Sequence, residues 1–74
     1  MSFTEEELKI AQKLCAYDSY PRGNVEYEIA FDAMIEKLLD EVTSIDLLKS
    51  IWNNAKVDSV AYAASKRYEE LSNQ

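Results

Sequence analysis

Histidine is absent from the 74 residues, and glycine, proline, cysteine and tryptophan occur once each. Without histidine the commonest general base is missing, and with it the usual nucleophile triads and most zinc sites. Gly23 alone cannot build a glycine-rich phosphate loop. With Pro21 it leaves few places for tight turns, which excludes a sheet protein of several hairpins. Cys15 has no internal disulfide partner and none of the neighbours a catalytic thiol needs. It reads as a small buried thiol in a reducing compartment, a reactive or cross-linking thiol being the alternative. No apolar run approaches the roughly 18 residues of a membrane span, and glutamates follow the opening Ser-Phe-Thr where a secretory leader would be apolar. The expectation is a soluble, cytoplasmic protein that is not an enzyme and uses no cofactor.

What is present points to helices. Hydrophobic residues make up 47 % and charged residues 30 %, the balance of a globular chain, and the length bounds it to a single helical domain over residues 1–74. The formal charge of −6 is unevenly placed. From Asn24 to Asp46 seven acids face one base, whereas the rest of the chain balances seven against seven. Within it, Asn24 to Val42 is the stretch around which the rest of the chain is organised. Read as a helix, it puts Tyr27, Ala30, Phe31, Met34, Ile35, Leu38 and Val42 on one buried side. The opposite side carries Glu28, Asp32, Glu36 and Asp40 at successive i, i+4 positions, a carboxylate ladder rising roughly 6 Å per rung. Such like-charge pairs each cost a helix roughly 0.2–0.5 kcal/mol, and only Lys37 is placed to relieve them. Val25, Tyr27, Ile29 and Phe31 also alternate with period two, so a strand start is the competing reading.

The fold class that follows is all-α, a compact bundle of four short helices at about 5–18, 25–42, 44–54 and 59–72. Thr4 caps the first, Glu7 completes a capping box and Phe3 staples onto Leu8, with Leu8, Ala11, Leu14 and Cys15 facing inward. Asp18 to Asn24 is a loop, and Asn24 caps the second helix. Thr43 is the expected cap of the third, in which Ile45, Leu48, Trp52 and Ala55 form a stripe widened by Leu47 and Ile51. Asp58 caps the fourth, where Val60, Ala64, Arg67, Tyr68 and Leu71 share a side. The last two helices should pair as an antiparallel hairpin, the first should fold back on the second, and Trp52 is the expected centre of the core. The tail Ser72-Asn73-Gln74 is expected to fray.

Acidity argues against direct binding of nucleic acid or anionic lipid and for a protein partner with a basic surface. The expected contact residues are Glu26, Glu28, Asp32, Glu36, Asp40 and Glu41, with Tyr20 and Arg22 as residue types enriched at binding hot spots. For Tyr20 and Arg22 the competing reading is an aromatic folded over the core edge beside a solvated arginine. Val25, Ile29 and Tyr62 are apolar out of place, either covered by a neighbouring helix or forming the contact of a homodimer or other oligomer. Carboxylates at i, i+4 can share a hard cation, yet no EF-hand loop is present and no metal site is expected.

A short, acidic, histidine-free helical chain with a carboxylate row (Glu26, Glu28, Asp32, Glu36, Asp40 and Glu41) resembles the accessory inhibitors of phages and mobile elements. Some of these, among anti-restriction and anti-CRISPR proteins, are similar to nucleic acid in charge layout and block basic nucleic-acid-binding sites. Ser44 to Trp52 followed by Ala63 to Leu71 also resembles short helical hairpins of phage replication and recombination proteins. The first resemblance implies a non-catalytic inhibitor acting by charge mimicry. The alternative is a homodimeric or hetero-oligomeric adaptor whose acids serve only solubility.

Overall fold

The structure, a computed structural model, describes residues 3–73, so Gln74 of the tail lies outside the described residues. Among the described residues there are four helices and no strand: α1 Glu5–Cys15, α2 Val25–Asp40, α3 Ile45–Asn54 and α4 Asp58–Ser72. The second segment is therefore helical from Val25 onward, not a strand. The radius of gyration, 11.9 Å, is near the roughly 11 Å of a folded chain this long. Helices one and two each stop two or three residues short of the expected ends, and Ser72 remains helical.

Each start has a chemical reason. The Thr4 hydroxyl accepts from the Glu7 amide at 3.1 Å and the Glu7 carboxylate accepts from the Thr4 amide at 3.2 Å, the expected box. The Asn24 side chain accepts from the amides of Glu26 and Tyr27. Gly23 precedes it at φ 94°, a left-handed conformation that only glycine adopts without strain. The α3 cap is Ser44, whose hydroxyl accepts from the Leu47 amide at 3.2 Å, and not Thr43. Nor does Asp58 cap α4: Val57 holds that position with no side-chain bond, and Asp58 is the first helical residue, where its charge complements the helix dipole.

The α3–α4 pair is the centre, joined through Ala55–Val57 and packed along its length. Packing of α1 is chiefly on α3, and of α2 on α4, so the expected fold-back of the first helix onto the second is a minor contact. Buried at the middle are Leu14, Ile35, Leu39, Val42, Leu48, Ile51 and Val60. Trp52 is not among them. It is 46 % exposed, with its ring 6.3 Å from that of Tyr68 at the outer seam of the hairpin. The buried arc of α3 is Leu47, Leu48 and Ile51, flanked by both α1 and α4, which places the indole at its edge.

The buried face of α2 is turned by roughly 50° from the expected one, given 100° per residue. Leu39 joins Ile35 in the core, while Tyr27 is 69 % exposed and Ala30 is exposed too. Two neighbours explain the turn. The loop and α1 cover the Phe31 and Met34 side, with Tyr17 edge-on to Phe31 at 5.1 Å and its hydroxyl 3.6 Å from the Met34 sulfur. On the other side α4 meets Ile35 and Leu39. Phe3 packs against the core, but Leu8 remains 39 % exposed.

Two charged side chains hold this frame. Glu7 is buried, and beyond its capping role its second oxygen accepts from the backbone amides of Thr43 and Ser44 at 3.1 and 3.2 Å. One carboxylate thus ties the start of α1 to the start of α3. Burial pushes its pKa up, but the amides of Thr43, Thr4 and Ser44 outweigh burial, and the net shift is below the ordinary glutamate value. Arg67 reaches from α4 to the carbonyls of Asp40 at 3.2 Å and Val42 at 3.4 Å, closing the C-terminus of α2, and lies 3.6 Å from Glu70.

Candidate functional site

Turning α2 moves the carboxylate ladder. Rather than standing opposite the core, it runs along the lip of the seam between α2 and α4. Asp32, Glu36 and Asp40 are exposed and Glu28 is half-buried. Asp32 and Glu36 share a hollow with Ser59, Tyr62 and Ala63 of α4, and Glu36 and Asp40 share the next one with Tyr62, Lys66 and Arg67. Glu28 lines a third, at the loop end, with Tyr20, Arg22 and Ser59. The order of these contacts shows that α2 and α4 run parallel. A second element therefore completes the wall that the sequence alone did not reveal.

The residues expected at the site divide into two groups. The seam gathers Glu28, Asp32, Glu36 and Asp40, with Tyr20 and Arg22 at its loop end and Tyr62 on its far wall. Glu26 and Glu41 are exposed but line none of these hollows. Val25, Ile29 and Tyr62 are 68, 63 and 70 % exposed, so no neighbouring helix covers them.

Tyr20 ties the loop to this lip. Its hydroxyl donates to the Asp32 carboxylate at 3.0 Å and sits 3.4 Å from the Glu28 carbonyl, while its ring meets Phe31 edge-on at 5.4 Å. Burial, then the hydrogen bond to Asp32 and the charges of Asp32 and Glu28, push its pKa up, against a smaller opposing effect of Ser59. Tyr20 is thus the aromatic folded over the core edge, and it also orients one rung of the ladder.

No ladder acid forms an ion pair among the described residues, although Lys66 and Arg67 line the same hollow as Glu36 and Asp40. Among the described residues the ion pairs are Lys56 with Asp18 at 3.3 Å and Arg67 with Glu70, neither using a ladder acid. Among the described residues no three acidic, cysteine or histidine side chains converge as metal ligands, and no helix is long and apolar enough to cross a membrane. Burial pushes the Cys15 thiol up, which keeps it protonated and weakly nucleophilic.

Three features that shape the site and its frame escaped sequence reasoning: the α4 wall, the Glu7 tether and the Arg67 clamp. Arg67 left a signal, a permanent cation among Val60, Ala64 and Leu71 on an inward side, where only a charge acceptor or a row of carbonyls satisfies it. Comparison with family models, curated proteins and solved structures yields no match, so the reading of this site rests on its own geometry.

Proposed function

We propose that this chain is a non-catalytic binding protein that docks its acidic α2 lip on the basic surface of another protein. The partner class the charge favours is a nucleic-acid-binding protein, whose phosphate-binding surface the carboxylate row occupies in place of nucleic acid. The observation that carries the reading is the ladder itself: like charges kept in a row, with Asp32, Glu36 and Asp40 exposed and no ladder acid in an ion pair among the described residues, on the segment holding the whole net charge. Such a row is a cost to the helix, and a basic partner turns that cost into attraction. A rung rise of roughly 6 Å suits cations spaced to grip successive phosphates.

Paired baits test this. The wild-type chain and the D32N/E36Q/D40N variant are used to capture proteins from the native host at about 0.05 M and about 0.5 M salt, where screening differs several-fold. A basic nucleic-acid-binding protein retained only by the wild type, and only at low salt, is the expected result. Identical captures on both baits refute the charge reading. The exposure of Val25, Ile29 and Tyr62 favours a second reading, an apolar oligomer contact, for which binding would persist at high salt.

A further inference from the structure

The two kinds of contact residue, acidic and apolar, fall on one stripe. Val25, Ile29, Asp32, Glu36 and Asp40 follow at i, i+4, i+7, i+11 and i+15 and lie within an arc of roughly 80° on α2, about 22 Å long. All five are exposed, and Tyr62 stands across from Glu36 as the far wall. The stripe is apolar at its N-terminal end and carries three carboxylates toward its C-terminal end, where Lys66 and Arg67 of α4 line the same hollow as Glu36 and Asp40 with no ion pair to either among the described residues. We infer that its occupant is a single amphipathic helix of the partner with opposite polarity, lying antiparallel to α2, arginines in its first half and apolar residues in its second. The inference rests on the acidic-lip reading above and names the partner's chemistry and direction.

Four observations support it. Charge complementarity places cations over Asp32, Glu36 and Asp40, and the rungs match the i, i+4 spacing of a facing helix. The exposed Val25 and Ile29 give the other half an apolar footing that a purely ionic contact would not need. The Arg67 guanidinium already caps the Asp40 and Val42 carbonyls, so what favours the positive N-terminus of the incoming helix at this end is the carboxylates of Asp32, Glu36 and Asp40 themselves. An extended segment is disfavoured, since both walls are helices whose backbone groups are already paired and offer no sheet edge. Arginine is preferred to lysine because the planar fork pairs with two carboxylate oxygens and stacks on Tyr62.

The test uses two labelled synthetic peptides of about 18 residues and identical composition, one with arginines in the first half and leucines in the second, the other reversed. Each is titrated by fluorescence anisotropy against the full chain and against the V25S/I29S and D32N/E36Q/D40N variants, whose helicity is checked by circular dichroism. The expected result is about tenfold tighter binding of the arginine-first peptide, about one pair's worth of charge-assisted contact, with each variant losing about tenfold. Equal affinity for the two peptides, or no loss in V25S/I29S, overturns the directional helix while the acidic lip stands if the acid variant alone weakens binding. No saturable binding of either peptide also overturns the inference, and the paired baits then decide the broader reading independently. Concentration-dependent self-association in sedimentation, abolished by V25S/I29S, assigns the stripe to a second copy and overturns it too.

Discussion

Removal of the Glu7 carboxylate is the sharpest test of how the frame is held. In Glu7→Ala the amides of Thr4, Thr43 and Ser44 lose their acceptor. Losing the bonds from the Thr43 and Ser44 amides to a charged acceptor costs about 1–3 kcal/mol, and the lost α1 box adds about 1 kcal/mol. The sum, roughly 2–4 kcal/mol, is a large part of the roughly 4–11 kcal/mol expected of a chain this size. Thermal unfolding should fall by about 8–30 °C, at about 4–8 °C per kcal/mol. Glu7→Gln keeps one acceptor and should lose about half as much. Glu5→Gln and Glu6→Gln, whose side chains are exposed, should stay within about 0.5 kcal/mol. The pH dependence has a definite sign. The folded pKa of Glu7 lies below its unfolded value, so its contribution is complete above the ordinary value of 4.5 and disappears as pH falls through the lower folded value. Urea titrations from about pH 7 to pH 3 should therefore show the wild type converging on Glu7→Gln at the acid end. If Glu7→Ala unfolds with the Glu5 and Glu6 controls, or the gap fails to narrow with acid, the tether is not what joins α1 to α3.

Four further outcomes follow from named contacts. Gly23→Ala should lose about 1–2 kcal/mol from backbone strain alone, because its Cβ would meet no atom within 4 Å; the urea midpoint measures it. Arg67→Met should cost about 1–3 kcal/mol by opening the C-terminus of α2, with Arg67→Lys recovering part of the loss in the same assay. Trp52 is the sole tryptophan and half exposed, so its emission should be accessible to acrylamide in the native state, and Trp52→Phe should cost less than the roughly 2–5 kcal/mol of Leu48→Ala. D32N/E36Q/D40N should raise stability by about 0.5–1 kcal/mol in the same urea assay, since three like-charge pairs are relieved at about 0.2–0.5 kcal/mol each, less what the weakened Tyr20 to Asp32 hydrogen bond costs.

The helices themselves were legible because their signals are local. Thr4 with Glu7, Asn24 after Gly23, and apolar residues at three- and four-residue spacing each act within one or two turns, and all fix elements within about three residues of where they lie. The rotation of each helix was less legible, because it is set by neighbours. A helix with a broad apolar arc buries whichever part meets another element, so α4 took Leu39 into the core and left Tyr27 outside. Trp52 misled for the same reason: its size suggested a centre, but α3 buries the smaller Leu47, Leu48 and Ile51 between two partners. At the candidate site the ladder was readable as spacing, whereas its place on a seam required knowing that α4 runs beside α2. Glu7 meeting Thr43 and Ser44 spans 36 and 37 residues of sequence, a pairing no local pattern encodes.

The acidic lip as a docking surface is tested most directly by mapping amide chemical shifts of the full chain while the arginine-first peptide is added at low salt. The account predicts that the changes gather on Val25, Ile29, Asp32, Glu36 and Asp40 and on Tyr62 across the seam, and that they vanish at about 0.5 M salt, where charges are screened beyond about 4 Å. Changes centred on Ile45 and Trp52, or scattered without a focus on α2, would contradict it.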